Sequence, residues 1–271
     1  MRKEHWQLQL VKKSLKKREK LKLIERHIHT APDSINLDLG CAQGILSWFL
    51  RKKPGFWVSA DQDAVNLQTS RVLLESGLIG VGPGNLPFRD DRLDTVVSLD
   101  YLEHLDDDLL CLREIHRILK PGGRLVMAVP RTGRPYWLHR LRPLLGMKLE
   151  FYGHKREGYR LRDLRGLIED SGMRFEGHKR FSGFMAEFIE LMLNALYIRF
   201  FDSAAPQGLR DGHIRPATDE EFQSRRKAFR AYGWIYPIVR MLTWLDRVIF
   251  FQRGYGLMVF ASKPGTGRDS E

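Results

Sequence analysis

Between residues 35 and 181 the sequence alternates short apolar runs with longer segments of helical spacing. Apolar runs of this length, bounded by Gly, Pro and Asp, are typical of buried strands. When strands alternate with helices, each helix returns the chain to the same end of the sheet, so neighbouring strands become parallel. The alternation therefore predicts an α/β fold, with a parallel sheet and helices on both faces.

The pattern also predicts where the individual elements lie. Strands are expected at 35–39, 56–60, 78–81, 94–99, 124–129, 173–181 and 255–262. Helices are expected at 44–51, 64–76, 107–119 and 160–172, the third of them ending before Pro121. The long connection between the last two strands, 182–254, is treated as an insertion, and the tail at 264–271 is expected to be disordered.

The insertion holds two apolar segments, 184–201 and 234–251, joined by a basic polar stretch. In the second segment the polar residues form one stripe, which consists of Arg240, Thr243, Asp246 and Arg247. Charged residues inside both segments argue against a bilayer crossing. Three alternatives stay open: the segments cover a site and shape an apolar pocket, they lie in a membrane interface, or they form a helical subdomain with an ordinary core.

Charge and cysteine content limit the partners and the compartment. A net charge of +12 favours an anionic partner, which could be a nucleic acid, a membrane surface or an acidic substrate, or else reflects a plain basic surface. Residues 1–30 are assigned to a basic amphipathic helix that either binds such a partner or packs on its own domain. Two isolated cysteines, Cys41 and Cys111, predict no disulfide and no metal site. With no secretory signal and no spanning run, a cytoplasmic protein is expected.

The stretch INLDLGCAQGILSWFL, at 35–50, has the features of a nucleotide cradle. Gly40 and Gly44 let the backbone approach a ligand, and the helix that follows offers free N–H groups. Neither the dinucleotide pattern G-x-G-x-x-G nor a P-loop is present. Asp61 ends the second strand about twenty residues on, where a carboxylate can bind both ribose hydroxyls; alternatively it caps the next helix, although Asp63 can do that instead. Together these features favour a nucleoside ligand.

Four blocks follow one another in order: LDLGCAQG, VSADQD, NLPFRDDRLDTVVSLDYLEHLDD and REIHRILKPGGRLVMAVP. In sequence and spacing they resemble the class I S-adenosylmethionine-dependent methyltransferases, in particular the group that includes ubiquinone-type and other small-molecule enzymes. The resemblance implies a Rossmann-like, seven-stranded mixed sheet with an antiparallel last strand. It assigns 31–181 and 255–263 to this domain and implies S-adenosylmethionine (AdoMet) as the cofactor.

The resemblance also implies which residues hold the cofactor. They are Asp38, Gly40, Cys41 and Gly44 on the methionine and ribose parts, Asp61 on the ribose, Gln62 beside the adenine, Asn85 and Leu86 flanking the adenine ring, and Leu99 and Asp100 facing the methionine part. Gly82 stands where relatives often have an Asp that bonds the adenine amino group. Adenine recognition is therefore expected to rest on backbone groups or on Asn85.

Methyl transfer needs alignment more than acid–base help, but a base assists a hydroxyl or carbon nucleophile. His104 and His154 are the candidate bases. For His104 the alternative is that it only orients its loop. The predicted function is O- or C-methylation of an apolar or lipid-like small molecule. The alternatives are an RNA methyltransferase and a non-catalytic AdoMet-binding protein. An anionic membrane surface, on the inner face of the membrane, is an expected partner; nucleic acid is less favoured, and the sequence leaves the oligomeric state open.

Overall fold

The computed structural model describes residues 5–82, 84–133, 137–145, 153–201, 226–248 and 254–265. Residues 202–225 of the predicted polar stretch and the tail from 266 lie outside them, whereas 226–233, the end of that stretch, belong to a helix. The strands are β1 (Ile35–Leu39), β2 (Phe56–Asp61), β3 (Leu78–Gly80), β4 (Leu93–Leu99), β5 (Leu119–Pro130), β6 (Arg174–Phe181) and β7 (Gly256–Ser262). The helices are α1 (Trp6–Lys12), α2 (Leu15–His27), α3 (Ile45–Leu50), α4 (Ala64–Leu74), α5 (Asp108–Ile118), α6 (Trp137–Leu144), α7 (Leu161–Asp170), α8 (Phe184–Phe201) and α9 (Arg226–Leu242). Short 3-10 segments lie at Leu102–His104 and Thr243–Arg247.

The strands form one seven-stranded sheet in the order β3-β2-β1-β4-β5-β7-β6. The pairs from β3 to β5 are parallel, whereas β7 is antiparallel to both β5 and β6. The predicted mixed sheet with an antiparallel last strand is therefore confirmed. The chain order reverses between β1 and β4, and a ligand crevice is expected at the carboxyl ends of strands at such a point.

Strand β5 shows how the sheet is covered on both faces, because successive side chains point to opposite sides. Leu125 and Met127 pack in the core on the side of α5 and α7. Val126 and Ala128 face the other side, where they share a core with Ile24 of α2 and Leu50 of α3. The near-continuous apolar sequence of this strand follows from burial on both faces.

The N-terminal segment is built into this second core. The chain bends at Ser14, whose hydroxyl accepts a hydrogen bond from the backbone N–H of Lys17 (3.3 Å) and caps α2. Ile24 and Ile28 are almost completely buried against the sheet. Residues 6–27 thus contain two helices, of which α2 packs on the sheet. For the apolar side of α2, the structure therefore adopts the packed alternative.

The two apolar segments of the insertion are helical. The first is α8, with the predicted bounds, and the second is α9 with the 3-10 segment that follows it. No described helix combines the length and hydropathy required to span a bilayer.

Candidate active site

A cavity of about 510 Å³ opens at the carboxyl ends of β1, β2 and β4. This is the place where the strand order reverses and where α/β sheets bind their ligands. The predicted site residues that line it are Asp38, Gly40, Cys41, Asp61, Gln62, Leu99, Asp100, His104 and His154. Sequence segments that are far apart therefore meet around one space.

The loop after β1 depends on its first glycine. Gly40 has a φ of +84°, and a Cβ atom there would lie 2.6 Å from the ring of Tyr101. Its N–H donates to the carbonyl of Ala60 at the end of β2 (2.8 Å). Gly44 also has a positive φ and begins α3, but it does not line the cavity. Gly40 thus allows the loop to pack closely against Tyr101. That these glycines also let the backbone approach a ligand stays a prediction.

Asp61 connects the β1 loop to the end of β2. Its carboxylate accepts hydrogen bonds from the N–H of Ala42 (2.7 Å), the N–H of Asp63 (2.9 Å) and the amide of Asn66 (3.2 Å). Asp63 instead caps α4 through the N–H of Val65 (2.8 Å). The two aspartates therefore divide the roles that the sequence left open. Of about four acceptor positions on the Asp61 carboxylate, some remain for a ligand at the cavity wall.

Asp38 lies beneath the cradle and is almost completely buried. Burial raises its pKa to about 6, although the Ser47 hydroxyl and the Arg51 guanidinium act in the opposite direction. Burial likewise raises the pKa of the Cys41 thiol, so this residue serves the site through its backbone rather than as a thiolate.

Two of the predicted adenine contacts lie away from the cavity lining. Asn85 is exposed in a turn in which its N–H donates to the carbonyl of Gly82 (3.3 Å). Leu86 is buried in the core, and its N–H donates to the Glu114 carboxylate (2.9 Å). A Cβ at Gly82 would meet no atom within 4 Å, so sterics do not require glycine there. The roles of Asn85 and Leu86 stay predictions.

On the acceptor side of the cavity, Asp100 follows β4 with a φ of +53°. It forms an ion pair with Lys20, which reaches in from α2. Burial acts to raise the pKa of Asp100, but the Lys20 ammonium outweighs it and holds this pKa below its usual range. The carboxylate that follows β4 is thus neutralised by a lysine of α2.

Glu103, His104 and His154 form a cluster next to Asp100. The rings of His104 and His154 meet edge to face, with centroids 4.7 Å apart, and Nδ1 of His104 lies 3.0 Å from the carbonyl oxygen of Gly153. Burial, followed by the proximity of His104, lowers the pKa of His154 to about 4, so its ring is neutral at pH 7. Burial, followed by Asp100, raises the pKa of Glu103 well above its usual range.

This cluster also bears on the expectation of no metal site. One donor atom each from Glu103, His104 and His154 lies within 4.8 Å of the others. Such a set can hold a divalent ion. The sequence expectation rested on cysteine spacing alone, and it did not foresee that the fold would bring His154 to the Glu103-His104 pair.

A charged wall completes the cavity, and the sequence analysis did not assign its residues to the site. Lys16, Lys17 and Lys20 enter from α2, and Glu187 and Glu190 enter from α8. Lys16 pairs with Glu187 (2.6 Å) and Glu190 (3.2 Å). The sequence indicates only that these lysines belong to a basic amphipathic helix. They point into the cavity because the core contacts of α2 set its rotation about its own axis, which the sequence alone does not show.

Comparisons with known proteins agree with this geometry. Residues 37–127 match the sequence profile of a family described as a methyltransferase domain. A ubiquinone biosynthesis O-methyltransferase from Cereibacter sphaeroides is 30% identical over 33% of this chain and 38% of its own length. The Azotobacter vinelandii enzyme of the same name is 29% identical over 42% of this chain and 52% of its own length. The chain thus matches only part of these relatives.

Solved structures match over a longer part of the chain. A phosphoethanolamine N-methyltransferase 2 from Haemonchus contortus, in complex with S-adenosyl-L-methionine, has a TM-score of 0.53 at 14% identity, over 91% of this chain and 52% of its own. The [4+2]-cyclase SpnF has a TM-score of 0.60 at 15% identity, over 92% of this chain and 81% of its own. At such identities the likeness shows the fold.

The seven-stranded sheet with its antiparallel β7, together with the glycine loop and Asp61 over one crevice, defines the class I methyltransferase fold. The profile match over 37–127 covers the segments that build this crevice. The chain therefore has the fold of the class I S-adenosylmethionine-dependent methyltransferases, and its residues 37–127 are similar to a methyltransferase domain.

Proposed function

We propose that this protein transfers a methyl group from AdoMet to a small, lipid-like acceptor. The observation that carries the proposal is the single cavity of about 510 Å³ that joins the Gly40–Asp61 cradle to the His104–His154 cluster. The residues present fit the cofactor, because the glycine loop leaves backbone space and Asp61 offers a carboxylate to a ribose. AdoMet, when bound, supplies a methyl group already activated on a sulfonium sulfur.

The chain's own contribution is positioning and proton handling. Asp61 and the Gly40 loop would hold the nucleoside end of AdoMet, and Asp100 and the two histidines line the same cavity. An acceptor hydroxyl placed there would lie beside His154, whose neutral ring can receive a proton. The Gly153 carbonyl orients the His104 ring, and the edge-to-face contact between the two rings orients His154. A proton acceptor at this position would assist methylation of a hydroxyl or of an acidic carbon.

The acceptor class is inferred from the cavity wall and from the relatives. Two relatives are named ubiquinone biosynthesis O-methyltransferases, whose name indicates a lipid-like acceptor. Leu191 of α8 and Tyr255, which directly precedes β7, line the cavity beside the lysines of α2. A wall of this mixed kind suits an amphiphilic molecule, with an apolar body and a polar head. We further propose that the protein is cytoplasmic and acts at the inner face of the membrane.

The test is methyl transfer from labelled AdoMet into a fractionated cell extract, with an Asp61→Asn variant as the matched control. Label in the organic phase, absent with the variant, supports the proposal. Label in RNA would establish the RNA methyltransferase alternative instead. No label in any fraction, with AdoMet binding intact by calorimetry, would support a non-catalytic binder.

A further inference from the structure

Helix α9 and the 3-10 segment after it turn their apolar side away from the protein. Large apolar side chains are exposed at Trp234, Ile238, Met241, Leu245 and Val248, with 85% of Trp234 and 74% of Val248 accessible. Their spacing of four and three residues places them along one side of a helix. Ile235, Leu242 and Trp244 widen the same exposed side. On a surface helix of a protein that meets only water, this side would face the core.

The opposite side of α9 and of the 3-10 segment holds three polar side chains that are hydrogen-bonded to the rest of the protein, whereas Arg240 is exposed. The Tyr236 hydroxyl accepts a hydrogen bond from Arg18 (3.2 Å), and the Tyr232 hydroxyl donates to the carbonyl of Lys13 (3.2 Å). Asp246 accepts a hydrogen bond from the N–H of Met185 at the start of α8 (2.7 Å). These hydrogen bonds fix the rotation of α9 about its own axis. The apolar side is therefore exposed because the opposite side is bonded to the protein.

Basic residues border the apolar side. Lys13 lies against Gly233, and Arg18 lies against Tyr236, so the junction of α1 and α2 runs beside α9. Lys12 and Arg240 are exposed next to it, and the whole chain carries a net charge of +12. An apolar side rich in Trp, flanked by Lys and Arg, is the arrangement of helices that lie in a membrane interface. Anionic lipids attract such flanking charges.

We propose that the apolar side of residues 234–248 inserts into the headgroup region of an anionic lipid surface, with α9 lying parallel to it. Contiguous apolar surface of this kind marks an interaction site on a soluble domain, and the surrounding positive charge selects a negatively charged lipid over a neutral one. The proposal extends the proposed function and depends on it only for the identity of the acceptor. A lipid-like acceptor would then come from the lipid surface to which the protein binds.

The test measures binding of the full chain to vesicles of phosphatidylcholine with phosphatidylglycerol, and to vesicles of phosphatidylcholine alone. The variant Ile238→Glu with Met241→Glu places charges on the exposed apolar side without touching the cavity. Val72→Glu in α4 is the matched control, because Val72 is equally an exposed apolar residue (62% accessible) outside the segment. AdoMet binding by calorimetry, measured on all three proteins, shows whether each is folded and tests the cradle separately.

We expect the wild-type chain and Val72→Glu to bind the anionic vesicles, and the double variant to bind at least roughly tenfold more weakly. Binding to neutral vesicles should be weaker than to anionic ones. A wild-type chain that stays in solution would overturn the proposal, as would a double variant that binds as the wild type does. A wild-type dimer in sedimentation velocity that the double variant abolishes would show that a second copy covers this side, and would also overturn it.

Discussion

At the scale of single residues, the cradle rests on a division of work between two neighbouring aspartates. Both aspartates line the cavity, but Asp61 accepts a hydrogen bond from the loop that follows Gly40, whereas Asp63 caps α4. The sequence could not assign these roles, because either aspartate lies at the right distance after β2. The structure assigns them through the direction of each carboxylate.

These two roles predict that replacing aspartate by asparagine weakens ligand binding at position 61 and leaves it unchanged at position 63. Asp61→Asn should weaken binding of S-adenosylhomocysteine by roughly tenfold or more, because a charge-assisted acceptor for the ribose becomes a neutral amide. Asp63→Asn should leave the affinity unchanged, since Asn caps a helix about as well as Asp. Isothermal titration calorimetry measures both. Equal affinities for the two variants would remove Asp61 from the cofactor site.

His154 gives a second prediction at this scale. Its pKa is lowered to about 4, from an ordinary value of 6.5, by burial and by His104. The native state therefore binds fewer protons than the unfolded state between these values, so stability falls as the pH drops from about 6.5 toward 4. In NMR titrations of the ring, we expect a midpoint near 4. A His154→Gln variant should show a flatter dependence of unfolding free energy on pH in this window, and a ring that titrates above pH 6 would contradict the prediction.

At the scale of elements, α8 and α2 are joined by a buried ionic contact. Glu187 of α8 has 3% of its side chain accessible and pairs with Lys16 (2.6 Å) and with Arg142 of α6 (2.9 Å). The Ser182 hydroxyl donates to the same carboxylate (2.9 Å). One carboxylate thus ties three helices together at the rim of the cavity, which makes the insertion part of the site.

Removing that carboxylate should loosen all three helices. Glu187→Gln is expected to cost about 3 kcal/mol of unfolding free energy at pH 7, because it leaves buried cationic groups without their partner. Glu190→Gln is the control: Glu190 also contacts Lys16 but is 43% accessible, so a loss within about 0.5 kcal/mol is expected. Urea denaturation of both variants and the wild type measures the difference.

The pH dependence of that difference follows from the charge on Glu187. Burial acts to raise its pKa, but Lys16 and Arg142 outweigh burial and lower it below the ordinary 4.5. Its stabilising contribution is therefore complete above about 4.5 and is lost as the pH falls through the lower, folded pKa. The gap between wild type and Glu187→Gln should shrink only below that point. A gap that closes between pH 7 and 5 would contradict this assignment.

At the scale of the whole molecule, cofactor binding couples several segments, since the cavity is lined from α2, the ends of β1, β2 and β4, α8 and β7. S-adenosylhomocysteine at a hundred times its Kd should add about 2.7 kcal/mol of stability and raise the Tm by about 5 °C. ATP at the same concentration should give no comparable shift. Scanning calorimetry measures both, and equal shifts would indicate a general nucleotide site.

Much of this architecture follows from local sequence. The alternation of apolar runs and helical spacing predicted the strands, because a strand buried on both faces must be apolar along its whole length. The spacing of Gly40 and Asp61 predicted that they meet, because parallel strands end at one edge of the sheet. These features depend on residues close together in the chain and on the geometry of one fold class, and the structure places both residues at the cavity.

Orientation between distant elements was decided by the tertiary structure alone. The helical pattern of α2 does not show whether its lysines face water or the cavity; the burial of Ile24 and Ile28 on the sheet turns Lys16, Lys17 and Lys20 inward. The amphipathic pattern of α9 likewise does not show which of its two sides packs on the rest of the protein. Tyr232 and Tyr236 of α9 are hydrogen-bonded to Lys13 and to Arg18 of α2, and its apolar side faces outward. An amphipathic sequence fixes two sides of a helix, and only its packing partners decide which of them is covered.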